Sequence, residues 1–461
     1  MPEVDPAILV LLVGVGFMFH ILLLALAKKV NPVATLGAAF MLLAAFSVAD
    51  EFPGYELLKY ARIYVTVLIV VVGFMFYRAY SYGIASLALL AFIGFYVAAA
   101  AWGPSPVRGI VIKGLTFQTV LAGITMALAF RTTVNLRNAA RMLALTTAIF
   151  AALAFGELIR NPGAITAIGR YSPWGMNPNR FGQTAASMTI LATFVMFNDR
   201  NFLWRLISLG SVGTLAFLML LAGARGAIGM AAVGAFAVAF PMLKRPWVVA
   251  FFGGLGGGLI LLFLRLVQGA TPTRLNEANL DTREEPWADA INHFRDSPLV
   301  GKGWIASESV REGGSTVNLH SIYMQMLAET GLVGVALTVL AMLTLAFAGL
   351  RLWKIELREG GMKLRATYLA GALVAAVFAH GFVESASLAG STVSAMLMGF
   401  GAGLIDRLPK LVDDLPLRGR ARQQALEYSE FDDDDEYSEA GAEDGIEPYD
   451  EHDSYDEHEN G

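Results

Sequence analysis

The sequence predicts an all-α, polytopic integral membrane protein with about 12–13 transmembrane helices, and three observations predict it. Of its 461 residues, 56% are hydrophobic and only 16% charged, with a mean hydropathy of +0.55. A soluble chain carries about 25% charged residues, so too few polar groups remain here to coat a soluble surface. Apolar stretches follow one another with short polar or Gly/Pro-rich breaks, and about 20 such residues cross a bilayer as a helix. The ten-residue alternation of a membrane barrel is missing, and backbone groups in lipid must be satisfied within each span, which leaves helices.

The apolar stretches fall near 8–27, 33–49, 63–77, 84–102, 115–130, 142–158, 184–197, 203–222, 227–240, 247–264, 323–350, 366–383 and 391–405. The first follows Met-Pro-Glu-Val-Asp, which lacks the basic region of a secretory signal, and reads as a retained helix. Basic residues near span ends resist translocation. The odd-numbered loops and the C-terminal tail hold 20 of the 34 Lys and Arg residues, which puts the N-terminus outside and the tail inside. One long connection, Arg265 to Leu319, then lies outside. Connections longer than about 15 residues are functional or disordered, and Trp287, Phe294, Trp304 and the helix-like Glu284–Phe294 mark this one as folded. A smaller outer loop, Ile159–Gln183, is rich in Gly, Pro and Asn and reads as tight turns.

Residues 427–461 hold 17 of the 39 acidic residues and no Lys or Arg, so residues 1–426 keep 34 basic against 22 acidic residues, a net charge of +12. Such a tail repels itself and buries too little surface to fold. The expected organisation is therefore N-terminal transmembrane helices over 1–264, an extracytoplasmic loop over 265–319, C-terminal transmembrane helices over 320–410 and a disordered acidic cytoplasmic tail over 411–461.

Cysteine is absent, which excludes disulfides, thiolate metal sites, iron–sulfur clusters and cysteine nucleophiles. The outer histidines lack ligand spacing such as His-Glu-x-x-His, so a metal site has little support. Charge is sparse in the middles of the spans, which argues against an ion-coupled transporter, since those place ionisable relays at membrane depth. The polar candidates gather instead at outer span ends. Arg225, in Ala224-Arg225-Gly226-Ala227, is either an interfacial anchor or a guanidinium for a diphosphate, which Arg grips with two parallel charge-assisted bonds. Arg283 is either paired to Glu284 or Glu285 or a second such group, and Arg180 is a third or an anchor. His320 shares a helix face with Tyr323, Met324 and Leu327; a positive helix end would keep its ring neutral, as a general base requires. His380 and Glu384, four apart, form either a proton-handling pair or a structural hydrogen bond.

Four features resemble the O-antigen ligase and polymerase superfamily. They are Asn177-Pro178-Asn179-Arg180-Phe181; Ala224-Arg225-Gly226-Ala227; Arg283-x-x-x-Trp287 followed by Ser297-Pro298-Leu299-Val300-Gly301-Lys302-Gly303; and His320-Ser321-x-Tyr323 running into Leu327-Ala328-Glu329-Thr330-Gly331. The chain departs from the family pattern in having His-Ser where His-Asn is commoner, and Lys302 inside Gly-x-Gly. The resemblance implies a GT-C-like membrane glycosyltransferase of the bacterial inner membrane, with its site on the extracytoplasmic face and no cofactor. It implies transfer of a glycan from an undecaprenyl-diphosphate-type donor to a glycan, lipid or protein acceptor, with no nucleic-acid partner. Arg225, Arg283 and Arg180 match the family's diphosphate-binding arginines, and His320 its acceptor-activating histidine. A polymerase of repeat units and, in a different class, a lipid-glycan flippase or transporter are the competing readings.

Overall fold

The computed structural model describes residues 31–165, 169–242, 281–304, 321–359, 361–382, 384 and 392–411. Within them lie twelve α-helices: α1 (Pro32–Phe46), α2 (Tyr55–Tyr77), α3 (Ile84–Ala99), α4 (Pro106–Leu128), α5 (Thr133–Arg160), α6 (Pro178–Asn198), α7 (Phe202–Leu221), α8 (Arg225–Ala239), α9 (Asp281–Asp296), α10 (Ile322–Glu359), α11 (Gly361–Gly381) and α12 (Val393–Arg407). Among the described residues, eight stretches are long and apolar enough to cross a membrane. The protein is an all-α polytopic membrane protein. Eleven of the thirteen expected spans coincide with helices; those at 8–27 and 247–264 lie outside the described residues, as does the tail beyond 411.

Helix starts follow local chemistry. Asn31, Asn177, Asn201 and Thr392 each accept a hydrogen bond from the first turn of the helix they precede, and Thr132 does the same for α5. Such caps satisfy N–H groups that a helix cannot pair internally.

Helix α6 is buried along nearly its whole length, between α7, α8 and α5, and the hydroxyls of Ser187, Thr189 and Thr193 turn back onto carbonyls four residues earlier. The packing of α4 on α12 uses small residues: a Cβ at Gly123 would come within 2.0 Å of the Met396 carbonyl, and one at Gly399 within 2.2 Å of that of Val120. Without a hydrophobic drive between helices in lipid, such close backbone approach supplies the dispersion contact that holds them.

Helix ends that the loop charges place on the basic face are tied together. Asp406 accepts from the N–H groups of Gly83, Ala85 and Ser86 at the start of α3. Arg407 donates to the Phe130 carbonyl at the end of α4. Arg141 grips Asp199 through two bonds of 2.6 and 2.7 Å. Burial raises the Asp199 pKa, but the Arg141 bonds, the Asn201 N–H and the charges of Arg141 and Arg137 outweigh it, and the carboxyl sits below its usual range.

Candidate functional site

The opposite ends of the helices carry the candidate residues. Arg180 is the third residue of α6, Arg225 the first of α8 and Arg283 the third of α9. All three thus occupy the first turn of a helix, where the backbone dipole adds positive potential. Arg180 and Arg225 are exposed. The sequence Asn177-Pro178-Asn179-Arg180 is a helix start rather than a free turn: the Asn177 side chain accepts from the N–H groups of Asn179 at 2.9 Å and Arg180 at 3.4 Å, and Pro178 opens the first turn. No side chain caps α8.

The two arginines share a neighbourhood because α6 and α8 cross at Gly182. A Cβ there would lie 2.4 Å from that of Ala224 and 3.0 Å from that of Ala227. Two residues before one partner of this crossing is Arg180; between the other two is Arg225. The Arg180 charge is also felt by Arg62, on α2.

A chain of polar contacts continues from this point. Arg170 donates to the Ala222 carbonyl just before α8 and to Asn179 Oδ1, both at 2.8 Å. Asn179 Nδ2 reaches Glu384 Oε2 at 3.4 Å. Glu384 donates its backbone N–H to the His380 carbonyl at 3.0 Å, and its carboxylate acts electrostatically on the His380 ring; both residues are buried. Tyr323 donates to the Phe378 carbonyl at 2.8 Å, with its ring 4.4 Å from that of Phe382. The structure therefore gathers Arg180, Arg225, Tyr323, His380 and Glu384 around the starts of α6, α8 and α10 and the end of α11.

His320 and the Arg283 side chain lie outside the described residues and side chains. Their immediate surroundings are described. Helix α10 begins at Ile322 rather than at His320, and Ser321 Oγ accepts from the Met324 N–H at 3.5 Å. Ser321 thus occupies the capping position, one residue after His320.

The segment after α9 explains the glycine motif. Helix α10 is interrupted at Gly331, with φ 59°. Before the break, the carbonyls of Ala328 and Glu329 accept from the N–H groups of Lys302 at 3.0 Å and Gly303 at 2.9 Å. After it, the N–H groups of Leu332 and Val333 donate to Pro298 at 2.9 Å and Leu299 at 3.1 Å. The turn 297–303 thereby replaces the hydrogen bonds the helix loses, as irregular backbone within a membrane protein requires. Lys302 points its amine outward to Asp296 at 2.5 Å. Trp304 is buried against Gly103 and Gly109, with Arg108 5.6 Å from its ring. The expected folded character of the long connection is thus seen over 281–304, and the helix expected at Glu284–Phe294 spans Asp281–Asp296.

Residues 179–339 match the protein family described as O-antigen ligase. This match over part of the chain supports the O-antigen ligase and polymerase superfamily. The matched ligase segment runs from Asn179 through Arg180, Arg225, Arg283, the 297–303 turn, His320 and Tyr323 to Val339, just beyond the Gly331 break in α10, so it contains each primary candidate. Comparison with curated proteins returned no match. The match supports membrane glycan transfer of ligase or polymerase type.

Two cations were missed by the sequence reading. Arg170 sits in a loop with no motif around it, and only its bonds to Ala222 and Asn179 reveal it. Arg62 borders the apolar stretch at 63–77 with no motif around it, and falls within the span Tyr55–Tyr77. The sparse charge expected in the spans also needs correction: Lys113 on α4 and Glu329 on α10 are both buried and pair at 3.1 Å.

Proposed function

We propose that this ligase-family protein transfers a glycan from an undecaprenyl-diphosphate-type lipid to an acceptor hydroxyl by one inverting displacement. The supporting observation is the set of arginines in the first turns of three helices: Arg180 on α6, Arg225 on α8 and Arg283 on α9. A diphosphate leaving group needs cationic stabilisation as negative charge develops on it, and guanidinium groups at helix N-termini supply it. Arg170 braces this arrangement by tying the residue before Gly223 to Asn179.

The acceptor oxygen attacks the anomeric carbon as the bond from that carbon to the diphosphate oxygen breaks. The departing electron pair rests on the diphosphate, held by Arg180, Arg225 and Arg283. The hydroxyl proton passes to the His320 imidazole. Tyr323, three residues after His320, donates to the Phe378 carbonyl of α11 and fixes the start of α10. His380 and Glu384 support the same junction from α11. The donor is already activated, so neither metal nor nucleotide sugar is required. The site faces the extracytoplasmic side of the bacterial inner membrane, with the acidic tail in the cytoplasm.

The test is glycan transfer by purified protein in lipid, given a lipid-diphosphate oligosaccharide and a panel of acceptors that includes the donor's own repeat unit. Arg225→Ala and His320→Ala are expected to abolish transfer while the protein stays folded. Full activity in either variant, or retained anomeric configuration in the product, refutes the mechanism. Extension of the repeat unit in place of transfer to other acceptors assigns the polymerase reaction. Because the chain has no cysteine, single cysteines at residues 180 and 407 read the sidedness directly.

A further inference from the structure

We infer that Lys113 and Glu329 are positioning residues for the transfer reaction: their buried ion pair fixes the short helical piece that follows His320 in sequence and the turn that continues from the Arg283 helix. The inference rests on the function proposed above. The break at Gly331 makes residues 322–330 a separate nine-residue piece of α10, which starts two residues after His320 in sequence. Glu329, at its downstream end, is where several elements meet. Its carboxylate pairs with Lys113 Nζ of α4 at 3.1 Å and accepts from Gln325 Nε2 at 2.9 Å. Lys113 donates to the Tyr96 hydroxyl of α3 and lies 3.7 Å from that ring's centroid. The Glu329 carbonyl accepts from Gly303 at 2.9 Å, which ties in the 297–303 turn and through it α9. One residue therefore joins α3, α4, the turn and the 322–330 piece.

A chain needing only cohesion would fill this space with apolar side chains, since replacing a buried ion pair by well-packed hydrophobes is often neutral or stabilising. What the pair adds is one permitted rotation of the piece about its axis. A side-chain atom about 6 Å from a helix axis moves about 1 Å for each 10° of rotation. A misplacement of about 1 Å at a reacting group costs roughly 100-fold in rate. The geometry points to a loss in kcat with donor affinity kept.

The experiment uses the full chain in lipid bilayers with Glu329→Gln and the double variant Lys113→Met/Glu329→Leu, which removes both charges and guards against misfolding of the single change. Spin labels at Ala288→Cys on α9 and Leu340→Cys beyond the break, both exposed positions, report whether the turn stays docked. Expected are folded variants whose donor Kd stays within about threefold, whose kcat falls about 100-fold and whose label distance broadens. A merely structural pair predicts instead that the double variant recovers kcat along with its melting temperature. Recovery of kcat, or a lowered kcat with the distance unchanged, overturns the inference. Absence of transfer by the wild type would sink the proposed function instead, and an unbroadened label distance would then dispose of the positioning role separately.

Discussion

Replacing Gly303 by Ala should detach the 297–303 turn from the break in α10. Gly303 has φ 74°, and a Cβ would stand 2.3 Å from the Gly103 nitrogen, 2.6 Å from its Cα and 2.8 Å from the Ala99 carbonyl oxygen. These are backbone atoms that cannot swing aside, so the turn itself must lift. The left-handed conformation alone costs a non-glycine residue about 1–2 kcal/mol. Lifting strips the carbonyl partners from the Leu332 and Val333 N–H groups, and each donor left unsatisfied within a membrane span costs about 1–3 kcal/mol. The sum is roughly 3–8 kcal/mol, or at least about a hundredfold rise in the undocked population at 1.4 kcal/mol per factor of ten. Gly371→Ala is the matched control: it lies exposed in α11 with nothing within 4 Å of a Cβ, and should stabilise by about 0.5–1 kcal/mol. Hydrogen exchange on the 328–335 peptide, read alongside the melting temperature, measures both. Equal protection and equal melting in Gly303→Ala and wild type would refute the account of how the turn repairs the broken helix.

Three other outcomes are expected. Gly182→Leu should drive α6 and α8 apart at their crossing and weaken donor binding at least tenfold, while Gly229→Ala on α8, with open space around it, should not; donor titration of both variants checks this. Asn177→Ala should cost about 1 kcal/mol of stability and Asn177→Asp much less, by thermal melting in detergent. Asp199 has its folded pKa depressed, so its contribution to stability is complete above the unfolded value of about 4 and is lost as pH falls through the lower folded value. Asp199→Asn should therefore flatten the decline in melting temperature at acid pH, and an unchanged slope would count against the Arg141 clamp.

The sequence announced the spans because a bilayer imposes a length and a composition on each helix, and most stretches read from Ala/Leu/Val runs became helices. It announced less at the edges. Helix α2 begins at Tyr55, eight residues before its apolar run, because Tyr55, Glu56 and Lys59 are helical without being apolar. Arg180 and Arg225 were legible as lone cations beside spans, yet what unites them is Gly182, whose missing side chain carries no chemical signal of its own. Arg170 was unreadable, since a loop arginine acquires meaning only from the Ala222 carbonyl and Asn179 that receive it. Lys113 and Glu329 lie 216 positions apart in sequence, and neither reads as part of a pair until α4 and α10 pack.

Two departures from the family pattern, His320-Ser321 in place of His-Asn and Lys302 within Gly-x-Gly, have a common explanation in the backbone. Ser321 Oγ accepts from the Met324 N–H, and Ser and Asn are comparable helix caps, so either residue starts α10 in the same way. Lys302 contributes its N–H to the Ala328 carbonyl and sends its side chain outward, so only the flanking glycines are constrained. Both positions then serve the backbone, one through the cap of α10 and the other through its N–H group. It follows that Ser321→Asn should preserve transfer rate and acceptor preference, whereas Ser321→Ala should cost about 1 kcal/mol and lower kcat by loosening the start of α10. A change of acceptor preference in Ser321→Asn would show that this side chain touches the acceptor and that its helix-capping role is secondary.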